Sequence, residues 1–227
     1  MQFVDPPPHF RGLDPELPVA VHRRNLPHWR QRGATYFVTH RLADSLPEAQ
    51  TEQLREEREH WLAQNPPPHN SDKLAEYAKW FSTKIERWLD AGSGSCLLRD
   101  GVNGALIARA LQHFDDDRYH LFAYVVMPNH FHAIVKPLGD HDLDAIWESW
   151  KRFTARELTK RGARISPVWF REGYDRIVRD AGHLYRVVRY IGRNPRRAGL
   201  SKDQCPHGLH PDWQSAGWSL FDEQYPE

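Results

Sequence analysis

A chain of 227 residues and 26.6 kDa is about one and a half times a modal domain, which favours one domain with an insertion over two equal ones. Two cysteines, Cys96 and Cys205, exclude a disulfide scaffold and a four-thiolate zinc site, and nine Trp, ten Phe and eight Tyr within 40% hydrophobic residues exclude a chain disordered throughout. Mean hydropathy of -0.74 without an apolar run near eighteen residues excludes a membrane span; the net charge of +1 conceals a block, residues 151–200, with 14 Lys/Arg against 4 Asp/Glu.

From the N-terminus, residues 1–28 are proline-rich without periodicity and read as an extended arm. Met1 to Leu17 lacks a basic segment followed by an apolar one, so no secretory signal and a reducing cytoplasm are expected. Thr35 to Thr39, β-branched and aromatic after Gly33, predicts a strand. Ser45 with Glu48 three residues later has the spacing of a capping box, opening a charged helix to about Leu62 that Asn65-Pro66-Pro67-Pro68 ends. From Asp72, Leu74, Tyr77, Ala78, Phe81, Ile85, Trp88 and Leu89 recur at three and four residues, giving a second helix up to Gly92-Ser93-Gly94-Ser95. The pair reads as a helical hairpin inserted at about 47–91.

A shorter helix follows at Leu106, Ile107, Ala110, Leu111 and Phe114. Tyr119–Val126 and His130–Val135, joined by Met127-Pro128-Asn129, predict a tight β-hairpin. Helical patterns resume at about 142–161 and 181–194, with a short strand expected at Val168-Trp169-Phe170. This order predicts an α+β fold, a ferredoxin-like antiparallel-rich sheet with helices mainly on one face. The predicted layout is an arm (1–28), one domain over 29–200 carrying the helical insertion, and a C-terminal tail (201–227).

His130 and His132 stand two apart on a strand, so both rings leave one face and can present lone pairs to a metal; the same pattern also suits two packed histidines. Near residue 190, Leu184, Val187, Val188 and Ile191 form the apolar face of a helix and Arg186, Arg189 and Arg193 a basic stripe. Tyr190 lies on the seam between them, where it would reach a phosphate held by the arginines, though an ordinary boundary tyrosine fits there too. Asn194 is one turn later, but Pro195 disfavours helical geometry at it, which predicts a helix end there. Arg152, Arg156 and Lys160, at i, i+4 and i+8, make a basic ridge suited to phosphate contacts or to plain solvation, opposite a core-like stripe with Trp147 and Trp150.

The run Tyr124-Val125-Val126-Met127-Pro128-Asn129-His130-Phe131-His132, followed by Tyr190-Ile191-Gly192-Arg193-Asn194-Pro195, resembles the single-tyrosine HUH transposases, and among them the REP-associated tyrosine transposases. The likeness takes in Tyr36 to Leu42 and Val168-Trp169 to Tyr174-Asp175, covering roughly residues 28–200 apart from the inserted helices. It implies an HUH nuclease fold and a metal-dependent enzyme that cuts and rejoins single-stranded DNA beside hairpins through a covalent 5′-phosphotyrosine. By position it makes His130, His132 and Asn194 ligands of Mg²⁺ or Mn²⁺ and Tyr190 the nucleophile, in a monomer or homodimer. The family often carries Gln where this chain has Asn194. Two other classes share these residues: a DNA-hairpin-binding protein without turnover, and a metal phosphoesterase that activates water.

Overall fold

The structure, a computed structural model, describes residues 5–23, 27–65 and 71–221. Pro66 to Pro68, expected to end the first inserted helix, lie outside them. In chain order the elements are β1 (Ala20–Arg23), β2 (Pro27–Arg30), β3 (Tyr36–Arg41), α1 (Glu48–Gln64), α2 (Ser71–Asp90), α3 (Gly101–Gln112), β4 (Tyr119–Val126), β5 (His130–Pro137), α4 (Leu143–Lys160), β6 (Tyr174–Ile177), α5 (Ala181–Arg197), β7 (His207–Leu209) and α6 (Pro211–Ser215). The main sheet has five antiparallel strands in the order β6-β3-β5-β4-β7. β3-α3-β4-β5-α4-β6 with this order is the split βαβ arrangement of a ferredoxin-like α+β fold.

Strand alternation divides the core in two. Tyr36 and Val38 of β3 and Phe131, Ala133 and Val135 of β5 face α3 and α4, packing with Leu111, Trp147, Trp150 and Leu158. Phe37 and Ile134, pointing the other way, meet Leu184, Val187, Val188 and Ile191 of α5. The helices of the ferredoxin-like unit thus share one face, as the sequence led one to expect, and α5 is added on the other. A β-bulge in β4 adjusts this division. Leu121 pairs with Val135 and Ala123 with Ile134, so Phe122 is the extra residue, and both Phe122 and Ala123 join the α5 side.

The last segment is no tail. β7 pairs with β4, and Trp213, Trp218 and Leu220 are buried in the α5-side core, each side chain contributing about 1.5–3 kcal/mol of apolar burial. The chain crosses α5 at Gly192, where a Cβ would stand 1.8 Å from the Leu220 carbonyl oxygen, so only glycine admits this approach. Nor is the arm free. β1 and β2 form a two-stranded ribbon, Thr35 donates its N–H to Arg11 at 2.8 Å and Leu13 donates to Val178 at 3.1 Å.

Three local expectations change. Ser45 does not cap α1, which begins after Pro47; its hydroxyl instead accepts from Arg41 at 3.1 Å. The last strand of the ferredoxin-like unit is Tyr174–Ile177 rather than 168–170, where Pro167 lacks a donor and only a bridge from Trp169 to Leu42 forms. α5 runs through Pro195 to Arg197, and the side-chain amide of Asn194 donates to the Tyr190 carbonyl at 3.1 Å. Asn194 is therefore helical and fully buried.

Candidate active site

His130 and His132 are buried on the α5 side of β5 with their Nε2 atoms 3.1 Å apart. Each Nδ1 is anchored. The Asn129 side-chain NH₂ donates to the Ser93 carbonyl at 3.0 Å and to the Leu89 carbonyl at 3.4 Å, which turns its oxygen to His130 Nδ1 at 2.8 Å. His130 Nδ1 must therefore carry the proton, and its Nε2 presents a lone pair. His132 Nδ1 faces the Thr39 hydroxyl at 2.8 Å. A hydroxyl both donates and accepts, so Thr39 suits either tautomer of His132: Nε2–H directed at His130, or Nδ1–H with a second free lone pair.

α5 closes the site. The Tyr190 ring lies edge-on to the His132 ring at 5.2 Å and to Phe37 at 5.8 Å. Its hydroxyl and the Asn194 Oδ1 are buried, and neither makes a hydrogen bond of good geometry among the described residues. The Asn194 amide interacts with both imidazoles and with the Tyr190 hydroxyl. Two facing imidazole nitrogens beside an orphaned amide oxygen form a donor set that fits a divalent cation, because cis ligands of an octahedral ion with bonds of about 2.1 Å lie about 3.0 Å apart. Burial pushes His130 down to about 3 and His132 well below its ordinary value, so both are neutral at physiological pH, as ligands must be.

The inserted hairpin reaches this site, which its sequence does not announce. Leu89, buried in a small core with Leu46 and Leu54, places the end of α2 where its carbonyl meets Asn129. Asp90 pairs with Arg197 of α5 at 2.8 Å, and Glu86, one turn earlier, faces the Tyr190 hydroxyl together with Arg176 and Arg197. Burial, then the Glu86 charge, raise the Tyr190 phenol above its ordinary range; Asn194 and Arg197 oppose this. Burial also raises Glu86 itself, against the pull of Arg176 and Arg197. The only sequence trace of this contact is an acidic i, i+4 pair, Glu86 and Asp90, beside the apolar stripe of α2.

The arginines sort differently from the predicted stripe. Arg186 is exposed and Arg193 part-buried, while Arg189 is buried on the packed face. The cation over the Tyr190 ring is Arg197, with Cζ 5.3 Å from its centroid, while Arg176, with Cζ 5.2 Å from the Phe37 ring, acts on Glu86 and His132. Arg41, paired with His130 across β3–β5 and on the same face, is buried over the Phe170 ring at 3.6 Å. Arg152, Arg156 and Lys160 are exposed on α4, on the opposite side of the sheet, and Glu157 pairs with both Arg156 and Lys160 at 3.1 and 3.0 Å. That ridge does not border the histidines. Another set of metal-ligand side chains, Asp116, His120 and His210, converges at the far end of β4.

Against known proteins, no family model and no curated protein matches the chain. A solved structure does. It is a REP-associated tyrosine transposase bound to a REP hairpin, similar over 80% of this chain and 75% of that one, at 18% identity and a TM-score of 0.44. It is a member of the family that the sequence motifs resemble, and the likeness assigns no role to any residue here. Among the described residues, no helix is long and apolar enough to cross a membrane.

Proposed function

We propose that the protein cleaves and rejoins single-stranded DNA, at hairpins, through a covalent 5′-phosphotyrosine on Tyr190, with Mg²⁺ or Mn²⁺ held by His130, His132 and Asn194. The observation that supports this best is the meeting of two neutral imidazole Nε2 atoms, the Asn194 Oδ1 and the Tyr190 hydroxyl in one buried site. Pure packing does not require such a group, since each buried polar atom left unpaired costs about 1–3 kcal/mol.

A divalent cation bound there supplies Lewis-acid polarisation of a phosphate oxygen. Thr39 and Asn129 hold the imidazoles in orientation, Thr39 accepting the His132 proton at Nδ1 when Nε2 is engaged. Tyr190 Oη, once deprotonated, forms the bond to phosphorus while the bond to the 3′-oxygen breaks, leaving a free 3′-hydroxyl and a 5′-phosphotyrosine for rejoining. Arg176 and Arg197 face the place where charge develops, and a phosphodiester entering there competes with Glu86 for both. Glu86 of α2 faces the Tyr190 hydroxyl, so a phosphodiester reaching that hydroxyl would have to displace its side chain. Arg186 and Arg193 would grip the strand leading to the site; Arg189 is held in the packing, and the ridge of Arg152, Arg156 and Lys160 would meet only a stem that wraps to the other face.

The test is a denaturing gel of labelled hairpin-bearing single-stranded DNA with Mn²⁺. Wild type should give a protein–DNA adduct, Tyr190→Phe none with binding retained, and His130→Ala neither adduct nor cleavage. Cleavage without an adduct would transfer the reading to water activation, and binding without cleavage to a hairpin-binding protein.

A further inference from the structure

The first strand of the central hairpin carries another histidine, His120, at the end remote from His130. Its cross-strand partner is Lys136, four residues beyond His132 on β5, so about 13 Å of strand separates it from the candidate active site. His120 Nδ1 lies 2.7 Å from Asp116 Oδ1, and His210 Nε2 lies 3.8 Å from the same oxygen, beyond hydrogen-bonding distance. All three ligand atoms fall within 4.8 Å of one another. The rings are held: His120 stacks on Phe122 at 5.6 Å and on His9 at 4.8 Å, and His210 is buried against Phe122. Asp116 has φ of +63°, uncommon for a residue with a side chain, and this turn directs its carboxylate at both histidines.

From this geometry we propose that Asp116, His120 and His210 form a zinc-type metal site that clasps the C-terminal segment to the central sheet. Two imidazoles and one carboxylate are a common donor set for Zn²⁺, whose bonds of about 2.0–2.2 Å place tetrahedral ligands about 3.4 Å apart. The separations of 2.7 and 3.8 Å bracket that value. Small side-chain shifts admit the ion, and water completes the set.

Proton bookkeeping is consistent. His210 Nδ1 now accepts the Asp212 N–H at 3.2 Å as the cap of α6, so its proton resides on Nε2. Coordination through Nε2 moves that proton to Nδ1 and ends its acceptance of the Asp212 N–H, and the Asp212 carboxylate, now 3.9 Å away, would have to close by about 1 Å to receive it. Lys136 is turned to the His9 carbonyl rather than into the cluster. The three ligands come from the α3–β4 turn, β4 and the β7–α6 junction, so an ion there fastens the segment that carries Trp213 and Trp218. The inference does not depend on any chemistry at Tyr190.

The experiment is Zn²⁺ stoichiometry of the full chain by equilibrium dialysis, with thermal unfolding alongside. In His130→Ala/His132→Ala protein, one Zn²⁺ should remain bound and raise the unfolding temperature. Adding Asp116→Asn/His120→Gln, on a turn and a strand end, should weaken that binding about tenfold or more. On the otherwise wild-type chain the same pair should remove one equivalent and leave the rest, which keeps the test valid if the first variant fails to fold. Co²⁺ should give visible absorption bands that vanish with the pair. Unchanged stoichiometry and affinity in the Asp116→Asn/His120→Gln proteins would overturn the proposal, whether or not Tyr190 forms an adduct.

Discussion

Asn129 ties the inserted hairpin to the imidazole pair, and its replacement by alanine tests both connections. The side chain is 1% exposed and makes three hydrogen bonds, to His130 Nδ1, the Leu89 carbonyl and the Ser93 carbonyl. Ser93 lies near solvent and can take water, whereas His130 Nδ1 and the end of α2 cannot. At about 1–3 kcal/mol for each buried group left unpaired, Asn129→Ala should cost about 3 kcal/mol. For a chain of this length that lowers the unfolding temperature by about 6–12 °C. The freed His130 ring also loses its imposed tautomer, which should weaken Mn²⁺ binding about 10–100-fold. Asn129→Asp separates the two roles, since a carboxylate still accepts from His130 but cannot donate to either carbonyl. The assay is thermal unfolding by circular dichroism with and without Mn²⁺, plus a Mn²⁺ titration followed by electron paramagnetic resonance. An Asn129→Ala protein with unchanged unfolding temperature and Mn²⁺ affinity would refute the linkage.

Three further outcomes follow from individual contacts. Glu86 opposes ionisation of Tyr190, so Glu86→Gln should lower the tyrosine pKa and move the rising limb of the adduct-formation pH profile to lower pH; a shift to higher pH would give Glu86 the opposite role. Gly192→Ala sets a Cβ against the Leu220 carbonyl, and despite the better helix propensity of alanine it should destabilise by about 1–2 kcal/mol and speed proteolysis after residue 200, whereas a gain in stability would show that the crossing is loose. His28 is buried, which by itself lowers its pKa, but the bonds to Asp175 and Glu172 and the Asp175 charge outweigh this and bring it up to about 9. Because the folded value exceeds the unfolded 6.5, its contribution of about 3 kcal/mol is complete below about pH 6.5 and lost as pH rises through 9, and His28→Gln should flatten this decline in denaturant titrations.

What the sequence disclosed follows periodicity. The ferredoxin-like order was legible because β3 and β5 are apolar runs rich in β-branched and aromatic residues, buried on both faces, and the helices α3 to α5 each bury one regular face, while the two-residue spacing of His130 and His132 fixed their common side. Cooperation between distant segments left no such mark. Thr39 looks like any strand threonine, and nothing local says that Glu86 will stand beside Tyr190 or that Arg197 rather than Arg189 will face it. Pro195 misled because the rule against helical geometry before proline is a bias that burial of Asn194 overrides. The final segment was read as a tail because β7 has only three residues and α6 five, too short for a periodic signal, yet its Trp213 and Trp218 are buried.

The central claim is that Tyr190 is the residue joined to DNA. Trypsin separates the candidates, because cleavage at the neighbouring arginines puts Tyr174, Tyr185 and Tyr190 on three different peptides, the last being Tyr190-Ile191-Gly192-Arg193. Mass spectrometry of the nuclease-trimmed adduct should find a 5′-nucleotide phosphate on that tetrapeptide alone. Nucleotide on the peptide of Tyr174 or Tyr185, or cleaved DNA with no modified peptide, would contradict the account.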